Sequence, residues 1–249
     1  MLTLTHVSKN FGKFTAVHDI SLSIPPGEIF GFLGPNGAGK TTTIKLIAGL
    51  MKPSEGSITI DGHDVHRDPV QAKQRLAYIP DEPYLYEKMT GRECLELIGN
   101  LRNISTATIR QRINQLVDLF GIDQYLDQYT EDYSHGTRQK FVFASAFLTR
   151  PALLLIDEPL VGLDPQHAHL VKTVLRQIAT DNQVTIFMST HTLSVAQEIC
   201  DRIGIIHEGK LVACGNLQEL QQLAHDRDGD LEELYLKLTG NLHRESLVW

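Results

Sequence analysis

The sequence predicts an α/β fold with a mainly parallel sheet, an N-terminal antiparallel β subdomain and an inserted helical subdomain. Three observations along the 249-residue chain lead to this prediction. β-Forming residues cluster in the first third, helical spacing dominates between about residues 84 and 150, and strand and helix patterns alternate after residue 153. Such alternation is typical of a parallel sheet, because the chain must cross over between parallel strands and usually does so through a helix.

Short strands separated by turns fill the N-terminal part. They are predicted at Leu2–Val7, Ala16–Ile24 and Ser57–Ile60, where residues of high β propensity cluster or alternate. Turn-forming residues stand between them at Asn10-Phe11-Gly12 and at Pro25-Pro26-Gly27.

A glycine-rich loop lies between an apolar strand predicted at Glu28–Leu33 and a helix predicted at Thr41–Leu50. Its glycines let backbone N–H groups surround a phosphate, and the helix N-terminus adds a favourable dipole. Lys40, for which a catalytic role is predicted, can reach the β- and γ-phosphates, and the Thr41 hydroxyl can ligate Mg2+. A plain glycine-rich turn is the alternative, but the lysine and threonine stand in register after a strand. The predicted nucleotide-binding residues here are Gly34, Pro35, Asn36, Gly37, Ala38, Gly39, Lys40, Thr41 and Thr42.

Two carboxylates follow the apolar run Ala152–Ile156. The run predicts a buried strand, which places Asp157 at the carboxyl edge of the sheet, where open α/β folds bind nucleotides. There Asp157 can hold Mg2+, directly or through water, and Glu158 can take the proton of the attacking water. The alternative is a pair of helix-capping acids ahead of Pro159.

His191 and Phe11 are predicted to contact different parts of the nucleotide. His191 follows the strand predicted at Val184–Ser189, so it lies at the same sheet edge and can contact the γ-phosphate; a purely structural histidine is the alternative. Phe11 stands in a predicted loop before the second strand, where it can stack on adenine or belong to the buried core. The predicted catalytic residues are thus Lys40, Glu158 and His191.

Ser134 and Gly136 precede a helix predicted at Gln139–Thr149, just ahead of the acidic strand. Serine is a common N-cap, so capping is one interpretation. A capped helix start is also an anion site, because its free N–H groups and its dipole favour negative charge. The two roles are compatible.

Composition narrows the class of protein. The chain is 42% hydrophobic and 21% charged, its net charge is −7, and no basic cluster stands out, so a nucleic-acid partner is not expected. The apolar stretches Phe141–Leu148 and Ala152–Ile156 are shorter than the roughly 18–20 residues of a membrane helix. We therefore expect a cytosolic chain that reaches a membrane only through a partner. Cys94, Cys200 and Cys214 are scattered without metal-site spacing, as expected for free thiols in a reducing compartment.

In this order, the motifs resemble those of the nucleotide-binding subunits of ATP-binding cassette (ABC) transporters. The segment Tyr133-Ser134-His135-Gly136-Thr137 is similar to the signature sequence of that family, and it stands between the glycine loop and the acidic strand. The resemblance covers roughly residues 2–220 and implies a P-loop NTPase core. It implies an ABC ATP-binding domain at 1–220, with a helical subdomain at about 84–150, and a C-terminal helical tail at 221–249.

The resemblance also implies a mechanism and partners. Two subunits, expected to be identical, would dimerise head to tail, and each ATP with its Mg2+ would lie between Gly34–Thr41 of one and Ser134–Gly136 of the other. The turn Gly162–Pro165 would carry Asp164 toward this interface. Closure on ATP and reopening after hydrolysis would drive a transmembrane permease, so the chain is expected on the cytoplasmic face of the cell membrane. The short region after His191 resembles the export-type branch.

Two places depart from the family pattern. The usual signature is Leu-Ser-Gly-Gly-Gln, whereas this chain has Tyr133, His135 and Thr137 in the first, third and fifth positions. Asp81 replaces the glutamine that follows the strand Leu76–Pro80, and that glutamine normally contacts Mg2+ and the attacking water. Asp81 is therefore predicted to act through the metal, with an Asx turn or cap as the alternative.

Two other functions compete with transport. A soluble ABC ATPase of translation or DNA repair usually carries two cassettes or long coiled-coil insertions, and the sequence shows neither pattern. A nucleotide-binding regulatory subunit without turnover is the other alternative, and the presence of Glu158 and His191 argues against it.

Overall fold

The computed structural model describes residues 1–158, 160, 165–226 and 229–240. Strands and helices are numbered separately in chain order. The strands are β1 (Leu2–Phe11), β2 (Phe14–Ile24), β3 (Ile29–Leu33), β4 (Glu55–Ile60), β5 (His63–Asp64), β6 (Leu76–Ile79), β7 (Leu153–Asp157), β8 (Thr185–Thr190), β9 (Arg202–His207) and β10 (Lys210–Gly215). The helices are α1 (Lys40–Ile47), α2 (Pro69–Gln74), α3 (Gly91–Leu101), α4 (Thr106–Phe120), α5 (His135–Leu148), α6 (Pro165–Asn182), α7 (Leu193–Ile199), α8 (Leu217–Leu223) and α9 (Leu231–Leu238).

Two sheets organise the fold. The N-terminal sheet is antiparallel throughout, with the strand order β2-β1-β4-β5. The second sheet has the order β10-β9-β3-β8-β7-β6, and its neighbouring strands are parallel except at the edge, where β10 runs antiparallel to β9. The predicted α/β fold, with a mainly parallel sheet and an N-terminal antiparallel subdomain, is confirmed.

The parallel sheet separates two hydrophobic clusters. Along β7, Leu154 and Ile156 belong to the cluster shared with α4, α5 and α6, whereas Leu153 and Leu155 belong to the cluster shared with α1 and the N-terminal sheet. A strand covered on both faces has an uninterrupted apolar sequence, which is why this segment shows no alternation. Asp157 ends the run and brings a charge to the carboxyl edge of the sheet.

The predicted helical insertion is present, with α3, α4 and α5 packed against one another. Ser105 caps α4 by accepting the N–H of Thr108, and Gly121 ends it with φ +59°. A Cβ atom on Gly99 of α3 would lie 2.6 Å from Ile109 of α4. Glycine at this position therefore allows the two helices to approach closely.

The prediction that Phe11 lies in a loop was wrong. Phe11 is the last residue of β1 and pairs with Phe14 of β2. Only Gly12 and Lys13 form the turn, and Gly12 adopts φ +59°. A two-residue turn with a glycine of positive φ is enough to connect the strands. The hairpin therefore extends to Phe11 and Phe14, further than the predicted turn Asn10-Phe11-Gly12 allowed.

The C-terminal segment packs on the parallel sheet. Leu220 of α8 and Leu231 and Leu234 of α9 are fully buried in a cluster that includes Leu33 of β3. The boundary predicted after residue 220 falls inside α8, and the division into domains stays a prediction.

Two short helices, α2 and α7, did not emerge from the sequence. They contain 6 and 7 residues, which is too short for a clear helical period. In the part of the chain that the structure describes, no helix is both long and apolar enough to cross a bilayer. Asp164 and its turn, together with residues 241–249, lie outside the described residues.

Candidate functional site

The glycine loop, the acidic pair Asp157-Glu158 and His191 lie where three neighbouring strands end. Leu33 of β3 pairs with Thr190 of β8, and Asp157 of β7 pairs with Ser189 of β8. The strands are parallel, so the residues that follow them emerge at one edge. This carboxyl edge is where ligands bind in open α/β sheets.

The glycine loop after β3 fits closely against its neighbours. A Cβ atom on Gly34 would lie 2.4 Å from the carbonyl oxygen of Ile206, and one on Gly39 would lie 2.4 Å from that of Ala16. Gly39 also has φ +106°, and Gly37 has φ +82°. Only glycine fits such positions without displacing backbone, so the loop curves back over β2 and β9 into α1.

The turn between β9 and β10 supports this loop, a role that the sequence did not reveal. The N–H of Gly209 donates to the carbonyl of Ala38 (3.0 Å), and the Gly209 carbonyl accepts the N–H of His18 of β2 (2.8 Å). The contact of this turn, at Glu208 and Gly209, with the loop depends on tertiary packing of distant segments.

Backbone donors of the loop point away from protein acceptors. Within the described residues, six N–H groups at the loop and the start of α1 make no hydrogen bond to protein; they belong to Asn36, Gly37, Gly39, Lys40, Thr41 and Thr42. The Lys40 amine donates to the carbonyls of Gly34 (2.8 Å) and Pro35 (3.3 Å) and is almost fully buried. Free amides, a helix N-terminus and a buried ammonium group form a cradle that fits a polyphosphate.

Asp157 presents one unpaired oxygen. The side chain is 1% exposed, and its Oδ1 accepts a hydrogen bond from Ser189 Oγ. Its Oδ2 is buried and has no partner among the described residues. A buried unpaired carboxylate oxygen is unfavourable unless a ligand completes it, and a hard divalent cation such as Mg2+ fits it.

The protein alone offers an incomplete ligand set for such a cation. No cluster of three or more His, Cys, Asp or Glu side chains with metal-site geometry occurs in the described part of the chain. Mg2+ usually keeps several waters and takes one or two carboxylates plus substrate phosphates. Asp157, together with the Thr41 hydroxyl, therefore fits Mg2+ that arrives with a nucleotide.

Glu158 leaves the strand in an uncommon backbone conformation. Its φ is +51°, which is rare for a residue other than glycine and is typical of functional sites that the surrounding structure holds in place. Its N–H lies 3.2 Å from Ser189 Oγ and 3.3 Å from the Ser189 carbonyl. Ser189 thus contacts both acidic residues. In the sequence, the polar pair Ser189-Thr190 at the end of an apolar strand was the feature that could have indicated this role.

The Glu158 carboxylate contacts Lys40 and His191. Its Oε1 is 3.4 Å from Lys40 Nζ and 3.0 Å from His191 Nδ1, and the latter contact is an ion pair only when the histidine is protonated. Glu158 Oε1 is buried, and within the described residues neither contact has hydrogen-bond geometry. The structure thus brings the three residues predicted to be catalytic into contact, although they come from three separate strand ends.

Ser134 and Gly136 lie on a different surface. Ser134 is the N-cap of α5 and accepts the N–H of Thr137 (3.2 Å), as the capping interpretation predicted. The Ser134 side chain is exposed, and a Cβ atom on Gly136 would have open space around it. In the described part of the chain, no hydrogen bond or ion pair joins either residue to the glycine loop.

Two of the three unusual residues of this segment, Tyr133 and Thr137, have structural roles. Tyr133 stacks on Phe141 at 4.7 Å between ring centroids and donates a hydrogen bond to the Tyr125 carbonyl (2.7 Å). Burial raises the pKa of the Tyr133 phenol. A Cβ atom on Gly91 would lie 2.3 Å from Tyr133 Oη, so glycine there accommodates the large ring. Thr137 pairs its hydroxyl with that of Ser134 (2.9 Å) and strengthens the cap.

Phe11 does not belong to the core, because 48% of it is exposed. Lys9 Nζ lies 5.2 Å from the centroid of its ring. The β1–β2 hairpin contacts the glycine loop through Ala16, whose carbonyl lies beside Gly39. The buried-core alternative is therefore wrong, and stacking on a base stays a prediction.

Asp81 follows β6 at the same edge as Asp157 and is exposed. Within the described residues its side chain makes no hydrogen bond, so the Asx turn considered above is not formed. Burial, followed by the negative charges of Asp157 and Asp81, raises the pKa of Tyr78 to about 12. The negative charges of Asp81 and Asp157 thus both act on the Tyr78 phenol.

This arrangement defines the class, a P-loop nucleotide-binding protein. A family model described as ABC transporter matches residues 17–161, more than half of the chain. The chain belongs to this family and is an ATP-binding ABC ATPase.

Similar proteins span nearly the whole chain. The sequence is 36% identical over 241 residues to the ABC transporter ATP-binding protein NatA of Bacillus subtilis, covering 95% of this chain and 97% of NatA. It is 36% identical over 239 residues to the ABC-type transporter ATP-binding protein EcsA of the same organism, covering 96% of each chain. A solved structure of the ATP-binding subunit of an ABC transporter superposes with a TM-score of 0.91 at 34% identity, over 96% of this chain and 99% of that one.

Proposed function

We propose that this chain is the ATP-hydrolysing subunit of a membrane transporter and that two copies close around two ATP molecules. The observation that carries the proposal is the contact of Glu158 with Lys40 and His191 beside the unpaired Asp157 oxygen. The relatives NatA and EcsA are named as transporter ATP-binding proteins, which supports the coupling to transport.

Each residue at the sheet edge has a proposed role. The free amides of Gly37, Gly39, Lys40 and Thr41 and the Lys40 amine bind the β- and γ-phosphates. Asp157 and Thr41 would hold Mg2+, which would supply positive charge to neutralise the charge that develops on the phosphate oxygens. Glu158 takes the proton of the attacking water, and His191 contacts the γ-phosphate beside it.

The exposed start of α5 is an argument that a second copy takes part in the site. Ser134 is exposed at the N-terminus of α5, a Cβ atom on Gly136 would meet open space, and a helix N-terminus favours an anion. In the proposed homodimer, this surface binds the γ-phosphate that the other copy holds. Hydrolysis removes that bridge and lets the copies separate.

The proposed partner is a transmembrane permease, which would hold the chain at the cytoplasmic face of the membrane. The daunorubicin/doxorubicin resistance ATP-binding protein DrrA of Streptomyces peucetius is 36% identical over 213 residues, covering 86% of this chain and 64% of DrrA. Its name denotes drug resistance, which favours an export-type system for this chain as well.

Co-expression with the multi-span product of an adjacent reading frame tests the proposal. We expect a stoichiometric complex in detergent and, in proteoliposomes, ATPase activity that depends on the membrane protein. Lys40→Ala is the control, since it should assemble normally but hydrolyse no ATP. Full ATPase activity of the chain alone, with no assembly and no stimulation, would favour the soluble ABC ATPase instead.

A further inference from the structure

The C-terminal helix α9 reaches the candidate catalytic site. A pocket of about 270 Å3 lies beside the glycine loop, and its walls include Gly34–Asn36, His191, Leu193 and Tyr235. Tyr235 is the contribution of α9, although more than forty positions separate it from His191 in the sequence. The C-terminal segment, to which the sequence assigned no function, therefore contributes a side chain to a pocket beside the glycine loop and His191.

The position of α9 is fixed by burial of its apolar face. Leu231 and Leu234 are fully buried against Leu33, the residue that leads into the glycine loop, and against Ala196 of α7. Asp230 caps the helix by accepting the N–H of Glu233 (2.9 Å). These contacts place Tyr235, one position beyond Leu234, at the edge of the pocket.

His191 itself has little support from hydrogen bonds. Its Nδ1 faces Glu158 at 3.0 Å, and within the described residues its side chain makes no hydrogen bond. It lines the pocket with Tyr235, whereas Glu158 does not. The histidine side chain, 47% exposed, thus contacts Glu158 and also lines the pocket, where packing would set its orientation.

The Tyr235 side chain can supply that packing. It is partly buried, and burial raises the pKa of its phenol. Its hydroxyl makes no hydrogen bond to the described protein, although the Tyr235 carbonyl accepts one from Thr239. The ring, rather than the hydroxyl, is therefore the part that contributes.

We propose that Tyr235 is a positioning residue of the ATPase site, and that docking of α9 holds His191 in reach of Glu158. This inference rests on the proposed roles of Glu158 and His191 in hydrolysis. It gives the C-terminal segment a specific task, because loss of the aromatic wall would free the histidine ring without removing any group that touches ATP.

Steady-state ATPase kinetics on the full chain test the inference, with Tyr235→Ala, Tyr235→Leu, Tyr235→Phe, His191→Ala and the double variant Tyr235→Ala/His191→Ala. We expect Tyr235→Ala to lower kcat on the order of tenfold or more with little change in KM, since misplacement by about 1 Å can cost that much. Tyr235→Phe should restore turnover. The double variant should be no slower than His191→Ala alone, because residues that act through one another are not additive.

Two controls separate this role from general damage. Glu232→Ala changes an exposed residue of the same helix and should leave kcat unchanged. Thermal unfolding reports the stability of each variant, and Tyr235→Leu keeps an apolar side chain if Tyr235→Ala does not fold. Wild-type kcat in both Tyr235→Ala and Tyr235→Leu, or loss that multiplies with that of His191→Ala, would overturn the inference while leaving the proposed function intact. Wild-type kcat in His191→Ala would overturn both the inference and the role of His191.

Discussion

The glycine-loop side of the site and the start of α5 differ in how complete they are. At the sheet edge, Lys40 and His191 both contact Glu158, and Asp157 is buried beside them. At α5, Ser134 is exposed, and within the described residues its hydrogen bonds are all to its own helix. One chain thus brings Lys40, Glu158 and His191 together but leaves the start of α5 exposed. Under the proposed function, turnover needs both surfaces, whereas nucleotide binding by one copy needs only the first.

The largest expected effect comes from Glu158→Gln, which breaks the first surface. The amide cannot accept the proton of water, so turnover should fall roughly 10²–10⁴-fold. Nucleotide binding should persist, because Lys40 and the loop amides are unchanged. Single-turnover kinetics measure the loss, and size exclusion in ATP should show an accumulated dimer. Near-wild-type turnover would rule out Glu158 as the general base.

Ser134→Ala breaks the second surface and should lower turnover on the order of a hundredfold, as loss of one oriented donor does. ATP binding to the single chain should not change. Removal of the N-cap should also cost about 1 kcal/mol of stability. Ser105→Ala is the matched control, because Ser105 caps α4 through the same contact with a threonine three residues on. It should lose similar stability and keep its turnover; an equal loss of turnover in both variants would refute the interface role.

Gly136→Ala sharpens the same comparison without a stability cost. A methyl group there meets open space, and Gly136 lies within α5 with no positive φ. The fold should therefore tolerate alanine. In the proposed dimer, however, the methyl group would approach the nucleotide of the other copy, and turnover should fall. Unchanged turnover would show that no ligand comes close to this surface.

Some features of the candidate site could be predicted from the sequence, and others could not. The sheet-edge residues follow from sequence, because Asp157 and His191 end apolar runs and parallel strands end together. The pocket that Tyr235 shares with the loop and the hydrogen bond of Gly209 to Ala38 were not predictable, since they join segments far apart in the chain. Tyr133 is a third case. It departs from the signature sequence of the family, and its stacking on Phe141, which accounts for the tyrosine, is seen only in the structure.

A smaller effect is expected from Phe11→Ala at the tip of the β1–β2 hairpin. Stacking on a base is worth roughly 1–3 kcal/mol and tolerates any base, so ATP and GTP should both bind more weakly. GTP should bind the wild type within about tenfold of ATP. Phe14→Ala is the control, because Phe14 pairs with Phe11 and is also exposed. Equilibrium titration with both nucleotides measures the change, and normal ATP binding by Phe11→Ala would place the platform elsewhere.

The smallest expected effect concerns Asp81, which contributes to nucleotide binding only if a metal ion joins its carboxylate to the nucleotide. The carboxylate is exposed, forms no Asx turn within the described residues, and shares an edge with Asp157. An anion there repels a triphosphate unless Mg2+ lies between them. Asp81→Asn removes the charge with little change in shape. A charge pair at about 4 Å in water is worth about 1 kcal/mol, so the Mg2+ concentration for half-maximal ATPase activity should rise up to about fivefold. Glu82→Gln, a neighbouring exposed acid, controls for the general loss of negative charge and should leave the titration unchanged. If both variants match the wild type, Asp81 does not act through the metal.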